Sequence, residues 1–337
     1  MTPMLDKLVK QVDLSEDEAH ELFGQIMGGQ LTEMDIAAVL TALASKGETV
    51  EELAGAARAM REKVTPVRVA AATEAIDTCG TGGDGISTFN VSTASAIVAA
   101  GAGATVAKHG NRTNTRASGS AEVLAALGVN IDADVPTAER CLAEARIGFL
   151  FAIKLHPAMK FAAPVRKQLG IRTIFNLLGP LTNPAGVRRQ VLGVNRPELT
   201  EKIAGVLKRL GAERAMVVHG MDGLCDLTIG GPSRVSELLE GAVRTYQLDL
   251  AEVGLQTGRL DELMIDSPQA SAEAVRAVLS GESGPRRDIV LLNTAAALAV
   301  AGLADDLKDG VRKAAESIDS GAARQTLDTW VRASNEV

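Results

Sequence analysis

The sequence is poor in aromatic residues and has no excess of positive charge. Its 337 residues include six phenylalanines, one tyrosine and one tryptophan, and the formal net charge is −7. So few rings leave no platform on which bases could stack, and the acidic balance opposes attraction to a phosphate backbone. We therefore expect no nucleic-acid partner.

Cysteine is also scarce, and long hydrophobic runs are missing. The three cysteines, at positions 79, 141 and 225, are far apart and form neither a disulfide framework nor a Cys-x-x-Cys metal pair. This usage predicts a reducing, cytoplasmic location. The longest apolar run, 289–304, has 16 residues and is interrupted by Asn293 and Thr294, whereas a membrane span needs about 20. The N-terminal segment is polar, so we expect no signal peptide and no membrane association.

A hydrophobic content of 46% over 337 residues is sufficient for two folded domains. The first 69 residues contain three helix-start signals, each a hydroxyl residue followed three positions later by an acid: Ser15 and Glu18, Thr32 and Asp35, Thr49 and Glu52. An apolar pattern with helical spacing follows each signal. We predict a small all-α domain over residues 1–69, which is either a cap on the next domain or an oligomerisation surface.

From residue 70 onward, short apolar segments alternate with alanine-rich helical patterns. This alternation predicts an α/β domain over residues 70–337, with a mainly parallel central sheet flanked by helices. The candidate strands are Ala75–Asp77, Thr105–Lys108, Gly148–Phe151, Gln190–Val194, Ala215–His219 and the start of Asp288–Leu292. Residues 156–184 show no strand pattern and contain four prolines, so we expect them to leave this domain and join the helical one.

The loop after the first candidate strand is rich in glycine. Gly80, Gly82 and Gly85 match the pattern G-x-G-x-x-G. The dinucleotide interpretation needs an acid about 20 residues later, where this chain has Lys108 and His109. A P-loop is excluded because no Gly-Lys-Ser/Thr follows. What remains is bare backbone that can approach an anion closely.

A helix predicted to begin at Asn90 carries Ser92 and Thr93 in its first turn, where the helix dipole favours negative charge. Lys108 to Arg112 ends the second candidate strand, and a further polar loop leads to Ser120. Because parallel strands end at one edge of a sheet, two such loops could grip a doubly phosphorylated ligand. The alternative is a tight turn with a helix cap.

Several segments resemble the anthranilate phosphoribosyltransferase family. They are DTCGTGGDGISTFNVSTA (77–94), KHGNR (108–112), SGSAEVLAALG (118–128), HPAMKFAAPVRKQLGIRTIFNLLGPLTNP (156–184) and HGMDGL (219–224). The resemblance implies a small helical domain made of the N-terminal helices and part of 156–184, an active site in the cleft between the domains, and a homodimer formed through the helical domains. It also implies transfer of phosphoribose from 5-phosphoribosyl 1-pyrophosphate to the amine of anthranilate, with Mg²⁺.

The resemblance assigns roles to individual residues. The donor-binding residues are Gly80, Gly82, Gly83, Asp84, Thr88, Asn90, Ser92, Thr93, Lys108 and Ser120. The anthranilate-binding residues are Gly80, His109, Asn111 and Arg166, with Gly110 nearby. The magnesium ligands are Ser92 and Asp226, with Cys225 where the family usually has the first acid of an Asp-Glu pair.

The sequence departs from the usual family pattern at two places, and three other functions remain as alternatives. Cys225 is a soft ligand that magnesium avoids, so we expect a second ion to be poorly held. Thr115-Arg116-Ala117 replaces the usual Ser-Ser-Lys. The alternatives are a paralogue on the same fold with another amine acceptor, a pyrimidine nucleoside phosphorylase, whose Lys-x-Ser motif is absent, and a non-catalytic nucleic-acid-binding relative.

Overall fold

The computed structural model describes residues 2–70, 74–113 and 117–336. Its helices are α1 Thr2–Val9, α2 Glu16–Met27, α3 Glu33–Lys46, α4 Val50–Arg61, α5 Val91–Gly101, α6 Ser120–Leu127, α7 Val135–Glu144, α8 Ala152–Leu155, α9 Ala163–Leu169, α10 Phe175–Leu178, α11 Leu199–Arg209, α12 Pro268–Leu279, α13 Pro285–Ala301, α14 Leu307–Asp319 and α15 Ala322–Asn335. Its strands are β1 Ile76–Gly80, β2 Val106–Gly110, β3 Ile147–Phe151, β4 Arg189–Gly193, β5 Arg214–Gly220, β6 Ser233–Leu239 and β7 Ala242–Leu248.

The N-terminal helices begin where the sequence predicts. The side chains of Ser15, Thr32 and Thr49 each accept a hydrogen bond from the backbone amide three residues later. The carboxylate of the acid at that position accepts a hydrogen bond from the backbone amide of the cap residue. Helix α4 packs closely on α2 because Gly55 has no side chain: a methyl group at Gly55 would lie 2.1 Å from the carbonyl oxygen of Glu16. Capping is a local interaction, which is why the sequence reveals it.

The central sheet has the strand order β3-β2-β1-β4-β5-β6-β7. Strands β1 to β5 run parallel to one another, which confirms the predicted α/β architecture, and β6 and β7 form an antiparallel extension at the β5 edge. This hairpin was not among the predicted strands. Its signal was the dipeptide Glu240-Gly241, whose residues both have positive φ, at 51° and 75°, as two-residue hairpin turns require.

One strand prediction is wrong. Asp288–Leu292, predicted to start a strand, lies inside helix α13, in which 12 of 17 residues are buried. A helix buried on nearly all sides loses its amphipathic period and looks like a core strand. Among the described helices, none is both long and apolar enough to cross a membrane.

The two faces of the sheet carry different layers. Helices α5, α12, α13, α14 and α15 share one apolar core with one face, and α11 together with the N-terminal helices shares another core with the opposite face. The segment 156–184 packs on the N-terminal helices. Phe175 meets Phe23 edge to face at 5.7 Å between ring centroids, and Arg61 donates a hydrogen bond to the carbonyl of Leu181 at 2.8 Å.

Candidate active site

Lys108 lies in the middle of β2, and its ammonium group lies between two neighbouring elements, β1 and α5. The side chain is 1% exposed. Its Nζ donates to the carbonyl of Thr78 on β1 at 2.7 Å and to Ser92 Oγ on α5 at 3.3 Å. Burial lowers the pKa of Lys108, and the carboxylates of Asp77 and Asp226 oppose that shift. A buried lysine thus lies beside the start of α5.

The start of α5 is organised by Asn90. Its Oδ1 accepts the amide of Thr93 at 3.0 Å and the hydroxyl of Ser92 at 3.2 Å, so the first turn is fixed. The hydroxyl of Thr93 is buried without a hydrogen-bond partner in the described structure. A helix N-terminus with amides and hydroxyls at its opening is suited to an anion.

The glycine loop, residues 80–90, needs glycine at specific positions. Gly82 and Gly83 have φ of 59° and 79°, which side chains rarely adopt. A methyl group at Gly82 would meet nothing within 4 Å, so this stretch of backbone is open. The far end of the loop is anchored, because Phe89 N donates to Leu263 O and Ile265 N to Ser87 O, both at 2.9 Å. Thr88 is buried at that anchor, and its hydroxyl has no hydrogen-bond partner among the residues that the structure describes.

A buried carboxylate, Asp77, holds the ends of β1 and β2 together. It accepts hydrogen bonds from the amide of His109 at 3.0 Å, from Asn183 at 2.9 Å and from Gln190 at 3.3 Å. Burial raises its pKa, and the Asn183 hydrogen bond opposes the shift. Asn183 and Gln190 were not among the predicted site residues. The motif ending in NLLGPLTNP contains Asn183, so it was the available signal.

Two buried histidines meet beside this carboxylate. The Nε2 atoms of His109 and His156 are 3.0 Å apart. Burial lowers the pKa of His109 to about 3 and that of His156 to about 4, so both rings are neutral at neutral pH. His109 also interacts with the backbone of Gly179, whereas His156 Nδ1 is buried without a partner among the described residues. His156 was not predicted as a site residue.

The loop after β5 approaches the glycine loop. The amide of Cys225 donates to Asp84 Oδ2 at 3.1 Å, and its Sγ lies 3.8 Å from the carbonyl of Gly82. Gly193 makes this approach possible, since a methyl group there would lie 1.6 Å from the carbonyl oxygen of Cys225. Asp226 and Ser92 line the same small cavity. The structure therefore brings these two predicted metal ligands together.

Asp222, in the same loop, belongs to the turn, because its carboxylate accepts a hydrogen bond from the Thr228 hydroxyl at 2.5 Å.

On the other side of the sheet edge, Ser120 Oγ donates to the carbonyl of Asn111 at 3.2 Å, and Ala117 N donates to Ser87 Oγ at 3.1 Å. These contacts join the two predicted anion loops. The substituted residues Thr115 and Arg116 lie outside the described residues.

Arg166 lies in α9, away from the two strand-end loops. Its guanidinium carbon is 5.4 Å from the ring centroid of Phe175, and burial lowers its pKa. No hydrogen bond or ion pair of Arg166 side-chain atoms occurs within the described ranges. The geometry thus connects the predicted donor residues to one another, and it places Arg166 on the helical side.

Two family models match the chain. One, the glycosyl transferase family a/b domain, covers residues 72–324, and the other, the glycosyl transferase family helical bundle domain, covers residues 2–64. These family matches and the relatives below show that the chain is a phosphoribosyl-transferring enzyme. The anthranilate phosphoribosyltransferase of Anaeromyxobacter dehalogenans is 54% identical over 327 residues, 97% of this chain and 96% of that protein. The Desulfatibacillum aliphaticivorans enzyme is 50% identical over 333 residues, 99% and 98% of the two chains. The chain belongs to the anthranilate phosphoribosyltransferase family.

Solved structures agree. The anthranilate phosphoribosyltransferase of Thermus thermophilus superposes with a TM-score of 0.93 at 43% identity, covering 98% of this chain and 99% of that one. The Saccharomyces cerevisiae enzyme in complex with PRPP (the donor 5-phosphoribosyl 1-pyrophosphate) and Mg gives a TM-score of 0.90 at 30% identity, covering 99% and 97%. Another structure of the yeast enzyme holds 4-fluoroanthranilate, with a TM-score of 0.87 at 28% identity, and it covers 100% of this chain and 99% of that one.

Proposed function

We propose that this chain transfers phosphoribose from PRPP to the amine of anthranilate, giving N-(5-phosphoribosyl)anthranilate and pyrophosphate in tryptophan biosynthesis. The observation that carries the proposal is the junction of Lys108, Ser92 and the open glycine backbone at one sheet edge. That junction is suited to a diphosphate. The yeast relative that binds PRPP and Mg in its structure shares this fold.

The leaving diphosphate is the centre of the chemistry. As the C1–O bond breaks, negative charge grows on the diphosphate and positive charge on the ribose ring. Lys108 and the first turn of α5, with Asn90, Ser92 and Thr93, are fixed before the ligand arrives, so they can stabilise that charge without reorganisation. Gly80, Gly82, Gly83, Asp84, Thr88 and Ser120 complete the proposed donor site.

The acceptor is aligned by polar groups at the end of β2 and by Arg166. A planar guanidinium can hold a carboxylate through two parallel hydrogen bonds, and no partner among the described residues competes for Arg166. We place the amine of anthranilate near His109, Gly110 and Asn111. Because burial keeps His109 and His156 neutral, neither ring repels the positive charge that develops on the attacking nitrogen.

Magnesium is the proposed cofactor, and the residues present fit it in part. Mg²⁺ binds carboxylate, hydroxyl and phosphate oxygens. Ser92 and Asp226, which line one cavity, would hold an ion that helps to neutralise the diphosphate. The Cys225 thiol lies against the carbonyl of Gly82, as a buried small side chain does, and adds no hard ligand. In the described ranges, no group of three or more His, Cys, Asp or Glu side chains could hold a metal by itself.

We further propose that residues 1–69 with part of 156–184 form one domain, that the remaining residues form the other, and that the substrates bind in the cleft between them. The proposed assembly is a homodimer through the helical domain. Val9 and Met34 support it, because these large apolar side chains are 66% and 82% exposed there. Light scattering should give twice the 35.1 kDa chain mass, and Met34→Glu should shift it toward monomer more than Leu303→Glu. A cytoplasmic location remains a prediction.

The decisive experiment follows anthranilate fluorescence in the presence of PRPP and Mg²⁺. Phosphoribosylanthranilate and pyrophosphate should appear in equal amounts. Turnover with a different amine only would favour the paralogue with another acceptor. Phosphorolysis of a pyrimidine nucleoside would favour the phosphorylase. Binding of nucleic acid without turnover would favour the non-catalytic alternative.

A further inference from the structure

Arg172 lies directly on the glycine loop. A methyl group built on Gly83 would be 1.7 Å from Arg172 Nη1 and 2.9 Å from its Cζ. The guanidinium therefore occupies the space that a side chain at position 83 would fill. The backbone at Gly83 favours glycine because its φ is 79°. The guanidinium is the end of a flexible side chain, so a side chain at position 83 would push it aside.

Arg172 reaches the loop from another part of the chain. It follows α9, which ends at Gly170 with a φ of 63°. It precedes α10, whose start is fixed by a hydrogen bond from Thr173 N to Asn176 Oδ1 at 2.9 Å. Both elements belong to segment 156–184, which packs on the N-terminal helices. Arg172 is thus a contact between this segment and the loop after β1.

The Arg172 guanidinium is also chemically available. It is exposed, and it forms no hydrogen bond or ion pair with any residue that the structure describes. Two other cations of the proposed site have different surroundings. Lys108 is buried against Thr78 and Ser92, and Arg166 lies over the Phe175 ring. A diphosphate carries more negative charge than one lysine neutralises, and an arginine fork matches phosphate oxygens.

We propose that Arg172 binds the diphosphate of the donor from across the cleft. Its guanidinium would bridge the glycine loop and the leaving group, so that donor binding strengthens the existing contact between segment 156–184 and that loop. This inference rests on the proposed function, and it adds a donor-binding residue outside the strand-end loops.

The test compares Arg172→Gln with Lys167→Gln. Lys167 serves as the matched control because it is an exposed cation of the same segment. None of its atoms is among the nearest neighbours of a methyl group built on Gly83. Loss of a hydrogen bond to a charged group should raise the KM for PRPP and the Kd for inorganic pyrophosphate with Mg²⁺ about tenfold or more. The KM for anthranilate and the Tm should not change, and Lys167→Gln should behave as wild type.

A second variant checks the geometry. Gly83→Ala should displace the guanidinium, so the double variant Gly83→Ala/Arg172→Gln should lose less affinity than the two single losses combined. Fully additive losses, or equal pyrophosphate Kd values for Arg172→Gln and Lys167→Gln in an active enzyme, would overturn the inference and leave the proposed function intact. A wild-type protein that neither binds PRPP nor forms product would overturn both.

Discussion

Lys108 and Lys46 both have side chains with little solvent exposure, and their removal should have opposite consequences. Lys108 donates to a carbonyl and a hydroxyl. Lys46, at the end of α3, has a side chain 5% exposed and forms an ion pair at 3.0 Å with Glu52, whose side chain is 1% exposed. Burial lowers the pKa of Lys46, but the hydrogen bonds to Asp13 and Glu52 outweigh it, and the net shift is upward. For Lys108 burial prevails and the pKa falls.

Lys46→Met should destabilise the fold and spare the chemistry. It leaves the Glu52 carboxylate buried without its cation, which costs about 3–5 kcal/mol. Lys108→Met removes the positive charge that faces the carboxylates of Asp77 and Asp226. Asp77 nevertheless keeps three hydrogen-bond donors, His109 N, Asn183 and Gln190. Release of a buried charge also recovers several kcal/mol of desolvation. We therefore expect Lys108→Met to be as stable as wild type or more so.

For enzymatic activity the order should be reversed, with Lys108→Met more damaging than Lys46→Met. Lys108→Met loses a charged hydrogen bond to phosphate, about 1.5–3 kcal/mol, which is roughly a 10- to 150-fold loss in kcat/KM for PRPP. Thermal unfolding and fluorescence kinetics of both variants, with calorimetric titration of PRPP and Mg²⁺, separate the two effects. A Lys108→Met enzyme with wild-type donor affinity, or with the same fall in Tm as Lys46→Met, would refute the assignment.

Three further predictions follow from the site. Arg166→Gln should raise the KM for anthranilate about tenfold and leave that for PRPP nearly unchanged; equal losses for both substrates would remove Arg166 from the acceptor role. Asp226→Asn should damage activity in a magnesium titration far more than Cys225→Ala, and equally inactive variants would contradict the view that Cys225 is only a packing residue. The histidine pair should make the fold acid-sensitive: burial lowers the pKa of His156 from 6.5 to about 4, so its stabilisation is complete above pH 6.5 and lost as the pH falls towards 4. In His156→Gln the Tm should therefore decline less over that range, and an unchanged acid limb would exclude His156 as its source.

Some of the fold and site follows from local sequence. Capping boxes involve residues three positions apart, so Ser15, Thr32 and Thr49 identify their helices without tertiary information. The five parallel strands are recognisable because helical patterns separate most of the apolar runs. The predicted anion loops are recognisable because a glycine-rich stretch that precedes a helix with hydroxyl residues in its first turn is typical of a phosphate-binding site. The resemblance adds individual residue roles to this reading, and those assignments remain predictions.

Only the tertiary structure decided which distant residues meet. Asp77, Asn183 and Gln190 come from three segments, and they converge because β1 lies between β2 and β4 in the sheet. Arg172 reaches Gly83, and Cys225 passes over Gly193, through backbone approaches that no local pattern encodes. For α13, burial on nearly all sides removed the periodicity that identifies a helix. A sequence specifies caps and turns through neighbours in the chain, whereas these contacts depend on strand order and packing, which emerge when the whole core forms.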